Sequence, residues 1–130
     1  MLDEASAIYR ERFTPSEHLQ QPYLMLGVNV VAAETDDEAR FLASSGRQSF
    51  AGLRAGRPIQ LPPPSREWER DPSEIPGVTA PTRVSFVGSA ATVHEQMATF
   101  IERTRADELI IVSHIYDHAA RLHSYDIARS

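Results

Sequence analysis

Apolar residues follow two different patterns along this chain, one with the spacing of helices and one typical of strands. Helical spacing, with apolar side chains three or four positions apart, recurs in four segments: 2–13, 39–53, 93–101 and 119–128. Between them lie two nearly continuous apolar runs, 23–32 and 109–112, and a third run at 84–87 that one serine interrupts. The run Leu109 to Val112 is mostly β-branched, and predicts a strand buried on both faces, as in a parallel sheet covered by helices.

The predicted elements run in the order helix, strand, helix, long loop, short strand, helix, strand, helix. Such alternation indicates an α/β fold with parallel strands, and 84–112 is expected to form one right-handed βαβ unit. We interpret residues 1–130 as a single α/β unit. A sheet of about three strands has two open edges that need covering. The chain is therefore expected to be part of something larger or to complete its sheet by association.

Polar residues mark where three of the predicted helices begin. Thr35 and Thr92 each stand three residues before a glutamate, which is the spacing of a capping box. Either Ser89 or Thr92 is expected to cap the third helix, and Asp117 to cap the last one.

The segment 57–82 differs in character from the rest of the chain. It contains seven of the nine prolines and the single tryptophan, Trp68, and its apolar periodicity is lost. A segment of this length without regular structure is either a functional excursion or a mobile linker. Trp68 accordingly either covers a pocket or anchors the loop to the surface.

Composition narrows the classes of function. The net charge is −5, and the 13 basic residues are scattered arginines, so no nucleic-acid partner is expected. The absence of cysteine removes disulfides, thiolate catalysis and zinc–thiolate sites. The sequence opens with acidic residues and holds no apolar run near the ~18 residues of a membrane span, so we expect no membrane association and a cytoplasmic location.

Three polar residues lie in or directly after predicted strands. Asn29 lies within the first apolar run, and Ser113 and His114 follow the last one. Parallel α/β sheets bind ligands beyond the carboxyl ends of their strands, so these side chains are candidate ligand contacts. The alternative is structural: a satisfied buried amide for Asn29 and a strand–helix junction for His114. His118 follows His114 by four residues but does not share a helical face with it, so no metal site is predicted.

Three segments together resemble one known family: Pro-Tyr-Leu-Met-Leu-Gly-Val-Asn-Val at 22–30, Phe-Val-Gly-Ser at 86–89, and Ser-His-Ile-Tyr-Asp-His-Ala-Ala-Arg-Leu at 113–122. They resemble the C-terminal part of luciferase-like flavin-dependent monooxygenases, relatives of bacterial luciferase. The last segment is the most specific one. Family members often have Pro-Glu-Thr after the Gly-Ser turn, where this chain has Ala90, Ala91 and Thr92.

The resemblance implies a (β/α)8 TIM-type barrel, of which this chain would be the final three strands with their helices, incomplete as a barrel on its own. It implies an oxidoreductase that uses reduced FMN and molecular oxygen on a small organic substrate and often forms oligomers. Ser113, His114 and Asn29 would line one side of the flavin pocket, and no catalytic residue is assigned. The alternative is a non-catalytic α/β fragment that self-associates through its sheet edges.

Overall fold

The structure is a computed structural model that describes residues 1–70 and 84–130. Within these ranges the chain alternates helices and strands in the predicted order. The elements are α1 (Leu2–Arg12), β1 (Met25–Ala32), α2 (Asp36–Arg54), a short 3-10 helix (Arg66–Trp68), β2 (Ser85–Gly88), α3 (Ala90–Thr104), β3 (Glu108–Val112) and α4 (His118–Arg129). No helix in the described ranges is long and apolar enough to cross a bilayer.

The three strands form one open parallel sheet in the order β2-β1-β3. The predicted α/β class with parallel strands is therefore confirmed. The first strand in the chain is the central one: Asn29 is in register with Ser85 of β2 on one side and with Val112 of β3 on the other. As a result β2 and β3, the two strands of the predicted βαβ unit, are not neighbours but lie on either side of β1.

One face of the sheet, here called the helix-covered face, packs against α3 and α4. In β1 it consists of the even-numbered residues Leu26, Val28, Val30 and Ala32. Four buried apolar side chains from other elements complete this core: Phe86, Val93, Phe100 and Ala128. The rings of Phe86 and Phe100 meet edge to face with centroids 5.4 Å apart, a favoured geometry for aromatic pairs.

The opposite face, here called the open face, carries the odd-numbered residues of β1 and the side chains in register with them. At its carboxyl end α2 contributes to a small apolar cluster of Val31, Ala43 and Ile115. Further down the strands, Ile110 is 49% and Val112 is 42% exposed. The prediction that β3 is buried on both faces is therefore wrong for this chain, because helices cover its length on one side only.

The ends of α3 are stabilised by residues from other helices. At its start, the Asp36 carboxylate accepts hydrogen bonds from the Ser89 N–H at 2.7 Å and the Thr92 hydroxyl at 2.8 Å. At its end, the Arg10 guanidinium donates to the last carbonyls of the helix, at 2.8 Å each. Ser89 occupies the N-cap position, but its side chain makes no capping bond. The predicted local cap of α3 by Ser89 or Thr92 is thus wrong, whereas Thr35 and Asp117 cap α2 and α4 as predicted.

The first half of the proline-rich segment is attached to α2. The Ser65 N–H donates to the Ser44 hydroxyl at 2.8 Å, and the Arg47 guanidinium donates to the Trp68 carbonyl at 3.1 Å. Residues 71–82 of the predicted excursion lie outside the described residues. The 3-10 turn that holds Trp68 therefore packs beside α2.

Candidate functional site

Three polar side chains on the open face form a hydrogen-bonded line across all three strands. The Asn29 amide donates from Nδ2 to the Ser85 hydroxyl at 2.8 Å. Its Oδ1 lies 3.2 Å from the backbone nitrogen of His114 and 2.9 Å from the ring Nδ1 of the same residue. We call Ser85, Asn29 and His114 the polar row.

The register of the sheet explains why these residues meet. Asn29 pairs with Ser85 on β2 and with Val112 on β3, and His114 lies two residues beyond Val112, so all three side chains project to the same face. Asn29 is only 8% exposed. A buried amide needs partners, and this one uses both its oxygen and its nitrogen.

Helix α2 lies directly against the end of the polar row. A Cβ atom added at Gly46 would lie 3.2 Å from the Cβ of His114, closer than ordinary side-chain contacts. Glycine at this position thus lets the helix approach the Cβ and the backbone of His114. His114 is therefore held between Asn29 on β1 and the backbone of α2, and is half-buried there.

Ser113 is separated from the other two predicted site residues. Its hydroxyl donates to the Val30 carbonyl at 2.8 Å and lies 3.3 Å from the Ser124 hydroxyl of α4. Ser124 in turn accepts a hydrogen bond from the Ala32 N–H at 2.9 Å. The two serines thus provide hydrogen-bond partners for the Val30 carbonyl and the Ala32 N–H, beyond the last residue of β3. They lie on the side of the sheet away from His114.

Ser85 is the member of the polar row that sequence reasoning missed. It is the one polar residue in the short run Val84 to Val87, and it is exposed in the structure. Its position within a predicted strand could have identified it, because side chains alternate along a strand and Ser85 therefore lies on the face opposite Phe86. Pairing it with Asn29 required the strand register.

The surroundings of the polar row are apolar and open. Met25, Ile110 and Val112 are large exposed side chains on the same face, and Gly27 between them has nothing within 4 Å of the place where a Cβ would sit. At the outer edge of β2, a shallow groove of about 480 Å³ lies between this strand and α3 of the helix-covered face, and Ser85 contributes to its lining. The open face therefore combines a polar line with a flat hydrophobic surface.

Two carboxylate contacts define the electrostatics near the sheet. The hydrogen bond from the Ser89 N–H, assisted by that from Thr92, holds the pKa of Asp36 below its ordinary value of 3.8. At the other end of the sheet, the hydrogen bond from Tyr23 to Glu108 raises the pKa of the Tyr23 hydroxyl. An anion of the protein itself thus already lies at the start of α3, where a ligand phosphate would otherwise find free N–H groups.

The described residues hold no cluster of histidine and acidic side chains that could bind a metal ion. His118, four residues after His114, lies 3.0 Å from the Arg121 guanidinium, with its Nδ1 toward that donor. A nitrogen facing an arginine accepts a hydrogen bond and is not aimed at a shared cation.

Comparisons with known proteins agree with this architecture. The chain is 40% identical over 130 residues to a luciferase-like monooxygenase of Escherichia coli strain K12, covering 98% of this chain and 39% of that protein. It is 37% identical over 125 residues to the uncharacterized protein YvbT of Bacillus subtilis strain 168, covering 95% of this chain and 37% of YvbT. The crystal structure of apo-MsnO8 superposes with a TM-score of 0.78 at 30% identity, covering 98% of this chain and 40% of that chain.

The resemblance to luciferase-like monooxygenases is confirmed. No family model matches the chain. The chain spans about two fifths of the length of the luciferase-like relative from E. coli, 39%, as expected for a partial barrel. Its open three-stranded sheet, with helices along one face, agrees with that proportion.

Proposed function

We propose that this chain is the C-terminal barrel segment of an FMN-dependent luciferase-like monooxygenase, with its open face turned toward the flavin and a small organic substrate. The observation that carries the proposal is the polar row, which crosses the middle of the parallel sheet from the start of β2 to His114, just beyond the carboxyl end of β3, on the face that no helix covers along its length. In barrels of this type the ligand lies beyond the carboxyl ends of the strands. The similarity to a luciferase-like monooxygenase over 98% of the chain supports the reaction class.

The open face suits one wall of a flavin site. A flavin ring is flat and aromatic with polar edges, and the open face offers apolar side chains beside a line of hydrogen-bonding groups. The phosphate does not fit at the start of α3, because Asp36 already accepts the Ser89 N–H there. Phosphate contacts in this proposal therefore come from other parts of the complete protein.

Each residue has a defined role in this proposal. Reduced flavin, when bound, would supply the chemistry that activates molecular oxygen. The protein orients the flavin and excludes water. His114 meets a polar edge of the ligand, Asn29 holds His114, and α2 shields them at Gly46. Ser113 supports the row from behind through its bond to the Val30 carbonyl.

A chimera tests the proposal within a complete protein. This chain replaces the matching 130 residues of the E. coli relative, and FMN binding is measured by fluorescence quenching. We expect the chimera to bind FMN and His114→Ala to weaken binding by about tenfold, the order of one lost hydrogen bond in a desolvated site. His118→Ala is the matched control and should bind as the chimera does. Equal binding by both variants would remove His114 from the site.

The second candidate is a non-catalytic fragment that self-associates through its sheet, and exposed apolar surface favours it. Met25, Ile110 and Val112 are exposed on one face, and the outer edge of β3 pairs with no strand in the described residues. Such faces and edges are commonly covered by another chain. Sizing chromatography of the isolated chain separates the candidates: a dimer that ignores FMN favours the fragment, and Ile110→Lys should then yield a monomer. The homo-oligomer and the cytoplasmic location stay predictions.

A further inference from the structure

We propose that Asn29 is a positioning residue that fixes both the orientation of His114 and its tautomer, so that the neutral imidazole carries its proton on Nδ1. The inference deepens the proposed flavin site and rests on that proposal for its functional meaning. The tautomer itself follows from the contacts of the polar row.

The backbone of His114 sets the orientation of the Asn29 amide. The backbone N–H of His114 is a donor only, and its nitrogen lies 3.2 Å from the amide atom assigned as Oδ1. If the amide were turned over, its NH₂ group would face another donor. The oxygen therefore points to His114, and Nδ2 donates to the Ser85 hydroxyl at 2.8 Å.

The Asn29 amide oxygen in turn sets which imidazole nitrogen of His114 carries the proton. The same amide oxygen lies 2.9 Å from Nδ1 of His114. Because an amide oxygen only accepts, Nδ1 must carry the hydrogen. A neutral imidazole has one N–H, so Nε2 is its acceptor nitrogen.

His94 provides a contrast within the same chain. The ring of His94 lies with its Nε2 2.8 Å from the Ile127 carbonyl oxygen, which also only accepts. Neutral His94 is therefore protonated on Nε2. The structure thus assigns opposite tautomers to His94 and His114, and the acceptor in front of each ring decides which one forms.

The assignment selects among ligand groups at the proposed site. A ligand atom that meets Nε2 of neutral His114 has to donate a hydrogen bond. An N–H or O–H group meets this condition, whereas a carbonyl or phosphate oxygen does not. A flavin bound through Nε2 of neutral His114 would therefore have to present a ring N–H to it.

The test is NMR spectroscopy of the ¹⁵N-labelled chain without flavin, at a pH high enough that the ring chemical shifts no longer change with pH and the imidazoles are neutral. Two-bond ¹H–¹⁵N correlations report which ring nitrogen carries the proton. We expect Nδ1–H for His114 and Nε2–H for His94. A major Nε2–H form of His114 would overturn the inference.

Two variants separate positioning from simple packing. Asn29→Ala removes the acceptor, and His114 should lose its preference for Nδ1–H while His94 stays unchanged. Asn29→Asp retains an acceptor oxygen and should keep Nδ1 protonated. If Asn29→Ala fails to fold, the spectra of the wild type and of Asn29→Asp still show whether Nδ1 of His114 carries the proton. FMN titration of the chimera is independent, so its failure would remove the flavin proposal and leave the tautomer standing.

Discussion

The two faces of the sheet are built from the same three strands but differ in what covers them. On the helix-covered face, Val28, Val30 and Phe100 are buried against α3 and α4. On the open face, Met25 and Ile110 are exposed, and the buried polar group is Asn29. The strands have apolar residues on both faces, yet the described helices cover the length of only one. The comparison indicates that the packing that stabilises the chain lies mainly on one face, whereas the other face is the one for which we propose ligand contacts.

The largest expected effect concerns the helix-covered face. Phe100→Ala removes a ring that is 4% exposed and packed on Phe86, so it should lower the free energy of unfolding by about 3–5 kcal/mol. Ile101→Ala, at the next position of α3, is the control: Ile101 is 39% exposed, so the loss should be several-fold smaller. Urea denaturation measures both. Equal losses would contradict the assignment of the core.

A smaller loss is expected at the carboxyl end of β1, on the side of the sheet that α4 covers. Ser124→Ala removes the acceptor of the buried Ala32 N–H, which should cost about 1–3 kcal/mol. Ser130→Ala removes an exposed hydroxyl at the end of the same helix and should change stability far less. Urea denaturation again measures the difference. An unchanged midpoint for Ser124→Ala would show that the N–H finds another acceptor.

The contact between α2 and the start of α3 should appear as a pH dependence. The folded state lowers the pKa of Asp36, so its contribution is present above the ordinary value of 3.8 and is lost as pH falls through the lower folded value. The stability difference between wild type and Asp36→Asn should therefore be constant above about pH 5 and shrink below 3.8. Asp37→Asn, whose wild-type side chain pairs with Arg40, is the control. A pH-independent difference would contradict the cap.

The smallest expected effect is on the open face of the isolated chain. Ile110→Ala should change the free energy of unfolding of the monomer by no more than about 0.5 kcal/mol. Its neighbour Ile111 packs against the helix-covered core, so Ile111→Ala should cost more. In the chimera with the E. coli relative, Ile110→Ala should become costly, because other strands would then cover this face. A large loss in the isolated monomer would show that the open face is already buried.

Several features could be predicted from sequence because they depend on neighbours along the chain. Periodicity identified the helices and strands, and Thr35 and Asp117 identified two caps correctly. Features that depend on distant residues were missed. The cap of α3 comes from Asp36, which lies 53 positions before Ser89. Ser85 was overlooked because its partner Asn29 lies 56 positions away and is found only through the strand register.

The sequence by itself determined the alternation of helices and parallel strands, the need of Asn29 for partners, and the likeness to luciferase-like monooxygenases. These follow from side-chain periodicity and from the chemistry of single residues. Only the tertiary structure decided that β1 is central, that Ile110 and Val112 are exposed, and that Ser113 and His114 project to opposite faces. The physical reason is that an apolar sequence shows only that a strand can be buried. Whether it is buried depends on another element packing over it, and that is determined by the tertiary structure.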